Sequence, residues 1–325
     1  LTDYGPSKHP RAHGCKCPAR IYTKKAFFLR HSCAAPNDII MNITIDCIPC
    51  ILNHIVHSVK TTVTDPKIQE RCTRDMLAAV AALDWTNTPP DFARELHRVL
   101  RGISGNKDIY VDEKDRSTEL AHELLEQLQP DIAAQPDPFA AAVRLAIAGN
   151  IIDYGVDAHF DLQSARVRVR EAFTLPVDEQ AMALLKSRMD QAKSILYVLD
   201  NCGEAVFDRL LVDLYRDKIT LGVRGFPILN DVTPRELAPS GLGGVPYVST
   251  GDSTPGVSSR HSSDEFMATM RAADLVITKG QGNFETLNEY DRPIFFLFRA
   301  KCAIIVKFLG NVPMGSMQVV AANIN

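Results

Sequence analysis

Residues 195–204 read Ile195-Leu196-Tyr197-Val198-Leu199-Asp200-Asn201-Cys202-Gly203-Glu204, and the fold turns on this stretch. Five apolar residues, β-branched and aromatic members among them, run directly into two Asx residues and a glycine. The length suits a strand buried on both faces and is too short for a helix. The spacing that follows, over residues 204–215, is helical. A buried strand that ends in a polar turn and leads straight into a helix is the repeating unit of a parallel sheet.

Toward the C-terminus, short apolar runs recur at residues 219–223, 245–248, 275–277 and 294–298, with helical stretches such as 264–272 between them. A mostly parallel, Rossmann-like three-layer α/β/α domain is expected over residues 178–325. Toward the N-terminus the period changes. Ile48, Ile51, Leu52, Ile55, Val56 and Val59 mark one helical face. Asp65-Pro66, Pro89-Pro90 and Pro136-Asp137-Pro138 each place a proline where a helix starts, and a further helix is expected over residues 114–128. Residues 41–177 therefore read as a helical bundle packed on the α/β domain.

The chain has 325 residues, with 36 Lys and Arg against 39 Asp and Glu. The charge is uneven: residues 1–40 carry seven bases and two acids, so the remainder carries 29 bases and 37 acids. An acidic body repels phosphates, which argues against a nucleic-acid partner. Residues 294–309 are the most apolar stretch, but Arg299, Lys301 and Lys307 interrupt it, so no membrane span is expected. Residues 1–40 show neither periodicity nor a zinc-knuckle spacing, and they read as an unfolded or non-native extension ahead of Met41. Eight cysteines in a chain able to build its own core suggest a reducing, cytoplasmic setting.

Unusual polar residues collect where the strands end. Asp200-Asn201 follows the first strand, Asn230-Asp231-Val232-Thr233 the second, Ser249-Thr250-Gly251-Asp252 the third and Lys279-Gly280-Gln281-Gly282-Asn283 the fourth. Ligands of open parallel sheets bind beyond the carboxyl ends of the strands. Asp200, Asn201 and Asp231 offer hard oxygen donors suited to one divalent ion such as Mg, Mn, Co or Ni. Lys279, on a glycine-rich turn, offers positive charge to an anion, with Gly280 and Asn283 as further substrate contacts. A cation, a lysine and free N–H donors suit phosphoryl transfer.

Five motifs in order, Cys47-Ile-Pro-Cys50, Gly149-Asn150-Ile-Ile-Asp153, Asp200-Asn201-x-Gly203-Glu204, Asn230-Asp231-Val-Thr233 and Lys279-Gly280-Gln-Gly282-Asn283-x-Glu285, resemble the metal-dependent damage-control phosphatases, also called the acidic-residue-methyltransferase-like family. The resemblance is to the prokaryotic Cys-x-x-Cys branch, which Arg299-Ala-Lys301-Cys302 also matches, and it spans residues 41–320. It implies hydrolysis of a small phosphorylated metabolite, such as a sugar phosphate or a damaged phospho-metabolite. Asp200, Asn201 and Asp231 would hold the metal, Asp200 and Lys279 would be catalytic, and Asn150 and Asp153 would contact substrate. Arg235-Glu236-Leu237 departs from the family pattern after Thr233.

Other readings stand beside these. Asp200-Asn201 could cap the following helix, and Gly149-Asn150 could be a helix C-cap. Cys47, Cys50, His54 and His57 share one helical face, although about 15 Å separates its ends. Cys47 and Cys50 are candidates for a second metal or a redox pair, with Cys302 or Cys72 as further ligands, which would make the protein a metal- or redox-sensing module. Buried, inert thiols are the other explanation.

Overall fold

The computed structural model describes residues 41–151 and 162–324. Residues 1–40 and Asp153 lie outside the described residues. The helical half opens with α1 (Ile48–Thr62), α2 (Pro66–Ala81), α3 (Pro89–Ser104), α4 (Val111–Ala133), α5 (Pro138–Ala148), α6 (Leu162–Glu171) and α7 (Glu179–Gln191). The prolines and their preceding polar residues start helices as expected. Asp65 accepts from the Lys67 and Ile68 amides, Thr88 from Asp91 and Asp137 from Phe139 and Ala140, each filling donors that the first helical turn leaves unpaired.

The second half alternates: β1 (Ile195–Val198), α8 (Cys202–Leu214), β2 (Ile219–Val223), α9 (Pro234–Leu237), β3 (Tyr247–Ser249), α10 (Asp264–Ala272), β4 (Leu275–Lys279), α11 (Gln281–Leu287), β5 (Ile294–Arg299), α12 (Ala303–Phe308) and β6 (Met317–Ala322). The sheet order is β3-β2-β1-β4-β5-β6, parallel throughout except for the β5–β6 pair. Tyr197 lies in register with Leu221 on one side and Ile277 on the other.

Side chains alternate faces along each strand. Ile195, Tyr197, Leu221, Ile277, Phe295 and Leu297 pack with α5, α7 and α8. Leu196, Val198, Val276, Phe296 and Phe298 pack with α10, α11 and α12 on the other face. The result is the expected three-layer arrangement. The helical half is less uniform than a single bundle: α1–α3 share one core around Ile55, Met76 and Leu96, whereas α4, α5 and α6 share another with α8 through Leu124, Leu145 and Phe207.

Elements missing from the sequence reading have weak patterns. Strand β6 is half-buried at the sheet edge and ends in two alanines; helix α6 is basic, with three arginines in ten residues. No helix among the described residues is long and apolar enough to cross a membrane.

Candidate active site

Strands β1 and β4 are neighbours whose following connections leave toward opposite sides of the sheet, so a crevice opens beyond their carboxyl ends. Asp200 leaves β1 there, and Gly280 leaves β4. Gly280 has φ +78°, and a Cβ on it would fall within the space of the Asp200 carboxylate. The glycine lets the two strand ends close around that acid.

Asn201 and Asp231 meet through an isolated antiparallel bridge. Its backbone bonds run from Cys202 N to Asn230 O (2.9 Å) and from Val232 N to Asp200 O (2.8 Å). Asn201 occupies the N-cap position of α8, yet its side chain makes no capping hydrogen bond, so helix capping does not account for it. Asp200, Asn201 and Asp231 thus stand together, on two loops stitched by backbone.

The sequence reading did not single out Arg224, at the end of β2. Its guanidinium is buried; Nε donates to Asp231 Oδ2 at 2.7 Å, Nη2 donates to Asn283 Oδ1 at 3.3 Å and lies 3.7 Å from Asp200 Oδ1. Nothing in its spacing marks it, since an arginine after a strand is usually solvated. Asn283 also donates to the Lys279 carbonyl at 2.7 Å and is fully buried. Neither Asn283 nor Gly280 lines the cavity. Expected as substrate contacts, they build the wall behind it instead.

Burial first, then the neighbouring Asp231 and Glu204 charges, hold the Asp200 carboxyl well above the ordinary carboxylate range, with Arg224 and Lys301 opposing. A bound cation relieves that strain. The donors fit a hard divalent ion: two carboxylates and one amide, with one Asp231 oxygen already held by Arg224. No group of three or more His, Cys, Asp or Glu among the described residues is placed to hold a metal, so a cation here would need Asn201 and ligands from water or substrate.

Lys279 does not reach the crevice. It is fully buried, and its ammonium donates to the Ala146 carbonyl (2.8 Å), to Asp208 Oδ1 (2.8 Å) and to Glu204 Oε1. Those partners use all three ammonium hydrogens, so the expected direct contact with phosphate is absent from this arrangement. Burial opposes the charge, but Asp208 and Glu204 together outweigh it and raise the Lys279 pKa. Two acids facing one lysine leave Asp208 pushed up to about 7, chiefly by burial.

Glu204 connects this network to Asn150, whose Nδ2 donates to Glu204 Oε2 at 2.8 Å. The Asn150 Oδ1 is buried, without a hydrogen-bond partner among the described residues, and Asn150 lines the cavity. Gly149 is not a left-handed helix cap, since its φ is −51°. Its role is proximity: a Cβ there would lie 3.1 Å from the Glu204 Cα and from the Phe207 ring. The bare glycine brings α5 close enough for Asn150 to reach Glu204.

The cavity over the crevice has a volume of about 410 Å³, within the range of small-molecule sites. Asp200, Asn201, Asp231 and Asn150 line it together with Arg299 and Lys301. Gln281 organises that edge: its Oε1 accepts from the Lys301 amide at 2.9 Å, and its Nε2 donates to Glu285 Oε1 at 2.7 Å. Burial pushes Glu285 up to about 7. Arg235 and Glu236, where the sequence departs from the family pattern, turn away toward Asp115 and Lys114 on α4.

Cys47, Cys50, His54 and Cys302 also line the cavity, whereas His57 is exposed and does not. The four-residue helical face is therefore divided. Cys47 Sγ accepts from the Thr44 amide at 3.5 Å, and both Cys47 and Cys50 are free thiols. Burial, with Cys47 and Glu285 nearby, pushes the Cys50 thiol up, which makes it a poor nucleophile. His54 Nε2 pairs with His97 Nε2 at 2.8 Å. Cys72 is core, packed with α1 and α3.

Known proteins of similar sequence and structure bear on this geometry. The chain is 32% identical over 285 residues to the damage-control phosphatase PH1575 of Pyrococcus horikoshii, covering 85% of this chain and 97% of that one. It is 28% identical over 290 residues to a damage-control phosphatase of Archaeoglobus fulgidus, covering 85% and 98%. The crystal structure of the Pyrococcus horikoshii protein, described as a DUF89 family protein, superposes with a TM-score of 0.77 at 30% identity, over 86% of this chain and 98% of that one. The family model of the damage-control phosphatase ARMT1-like domain matches residues 43–316, and the chain belongs to that family.

Proposed function

We propose that this protein is a divalent-metal-dependent phosphatase that hydrolyses a small phosphorylated metabolite at the Asp200–Asp231 crevice. The names of its relatives support phosphatase chemistry. The observation that carries the reading is the meeting of Asp200, Asn201 and Asp231 at the sheet's switch point, facing a cavity that also holds Lys301 and Arg299.

Asp200, Asn201 and Asp231 hold the cation, with Mg, Mn, Co and Ni the candidates. The ion supplies charge neutralisation and Lewis acidity at the phosphoryl group. Arg224 fixes Asp231 through its Nε bond to Oδ2, while Lys301 and Arg299 add positive charge for the phosphoryl oxygens. Asn150 presents its Oδ1 to a hydroxyl or a water entering the cavity. Lys279 acts from behind, by neutralising Glu204 and Asp208.

The full chain, stripped of metal, is assayed for phosphate release from a panel of phosphomonoesters with each of the four ions. Turnover restored by metal, and missing in Asp200→Ala, is the expected result. A folded protein that releases no phosphate with any ion overturns the reading.

A further inference from the structure

The cavity has two unlike ends. The sheet side carries the carboxylates, Asn150 and the basic pair. A second wall, from α1 and α3, is mainly apolar: Ile51, Pro89, Pro90, Phe92 and Leu96 stand there with Cys50 and His54, and Ile304 also lines the cavity. The acid on this side, Asp46, is exposed to solvent.

We infer that the substrate is amphipathic: a phosphomonoester whose phosphate sits at the Asp200–Asp231 end and whose remainder is an uncharged alkyl or aryl group packed against α1 and α3. This rests on the phosphatase reading and narrows it. Apart from the Cys50 thiol and the Asn42 Oδ1, unpartnered among the described residues, the wall offers a polyol few groups to bond with. Its imidazole, His54, already spends Nε2 on His97 at 2.8 Å, and Ser58 turns to the Tyr110 hydroxyl at 3.0 Å. Burial, with His57 nearby, lowers His54 to about 4, so the imidazole is uncharged at neutral pH. A sugar hydroxyl placed against Ile51, Phe92 and Leu96 gives up its water without a replacement partner, which disfavours binding. A methylene placed here leaves water for an apolar surface, a gain of about fourfold in affinity per carbon.

The test uses the full chain with Mn²⁺ and a series of n-alkyl phosphates from methyl to hexyl, beside glucose 6-phosphate. The expected kcat/KM rises about fourfold per methylene until the wall is covered. Ile304→Asn, at a half-buried position, should flatten that slope. A flat series, or glucose 6-phosphate preferred over hexyl phosphate, overturns the proposal while leaving the phosphatase reading intact.

If no ester is turned over, the phosphatase reading fails, and the wall is then judged by binding alone. Calorimetry with n-alkylphosphonates, which resist hydrolysis, should show hexylphosphonate binding far more tightly than methylphosphonate. Equal affinities overturn the amphipathic site on that arm as well.

Discussion

Asn150 donates through Nδ2 to Glu204 Oε2 at 2.8 Å, and this bond sets which way the amide faces. Glu204 Oε2 is the acceptor of this bond, so the asparagine turns its NH₂ toward Glu204 and leaves Oδ1 buried, without a hydrogen-bond partner among the described residues. Asn150→Ala removes the acceptor but not the proposed metal ligands. We expect kcat/KM to fall roughly tenfold, about the worth of one buried hydrogen bond, with metal affinity unchanged by calorimetry.

Lys279 gives a different signature. Lys279→Met leaves two buried carboxylates without a cation and should cost about 3–5 kcal/mol of stability, read from urea unfolding. Combining it with Glu204→Gln and Asp208→Asn removes the stranded charge and should recover most of that loss. A lysine needed only for phosphate would show no such recovery, because its deletion would leave stability unaltered.

The proposed metal binding can be tested without turnover. Mn²⁺ at a hundred times its Kd should raise the unfolding free energy of the native chain by about 2.7 kcal/mol. Asp231→Asn, which keeps the shape beside Arg224, should lose most of that increment. An equal increment in the variant would place the ion elsewhere.

Gly280→Ala puts a methyl group into the space of the Asp200 carboxylate, at a φ of +78° that other residues rarely adopt. Turnover should fall at least a hundredfold, and metal titration should show the loss at the binding step.

The His54–His97 pair predicts a pH dependence. Burial holds both rings below the ordinary histidine value, His54 at about 4. Between about pH 6.5 and pH 4 the unfolded chain therefore binds protons that the native chain refuses, so stability falls as pH drops through that window. For His54 the loss is on the order of 3 kcal/mol. Glu285, raised to about 7, acts oppositely, its contribution declining as pH rises from about 4.5 to 7. The check is the difference between native chain and His54→Gln across this range; parallel curves would refute the assignment.

The fold was legible because its strands are short, apolar and buried on both faces, and because prolines and aspartates mark the helix starts. Strand β6 escaped notice because an edge strand buries only part of itself and alternates weakly. At the site, Asp200, Asn201 and Asp231 were readable as Asx residues following strands. Which lysine faces the cavity was not. Lys279 and Lys301 both follow apolar runs, and only the third dimension shows that Glu204 and Asp208, one helical turn apart on α8, claim the first and leave the second at the cavity. Arg224 was hidden for the same reason, since its partners lie 7 and 59 residues away.

The antiparallel bridge between Asn201 and Asp231 also bears on the thermodynamics of occupancy. Because the Cys202 and Val232 amides already lock the two loops together, an incoming ligand does not have to supply the entropy of ordering them. Its association should leave those two amides as protected from hydrogen exchange as before. A receptor shaped in advance responds to occupants by fit, with little accommodation, so selectivity among ions of similar charge should follow ionic radius.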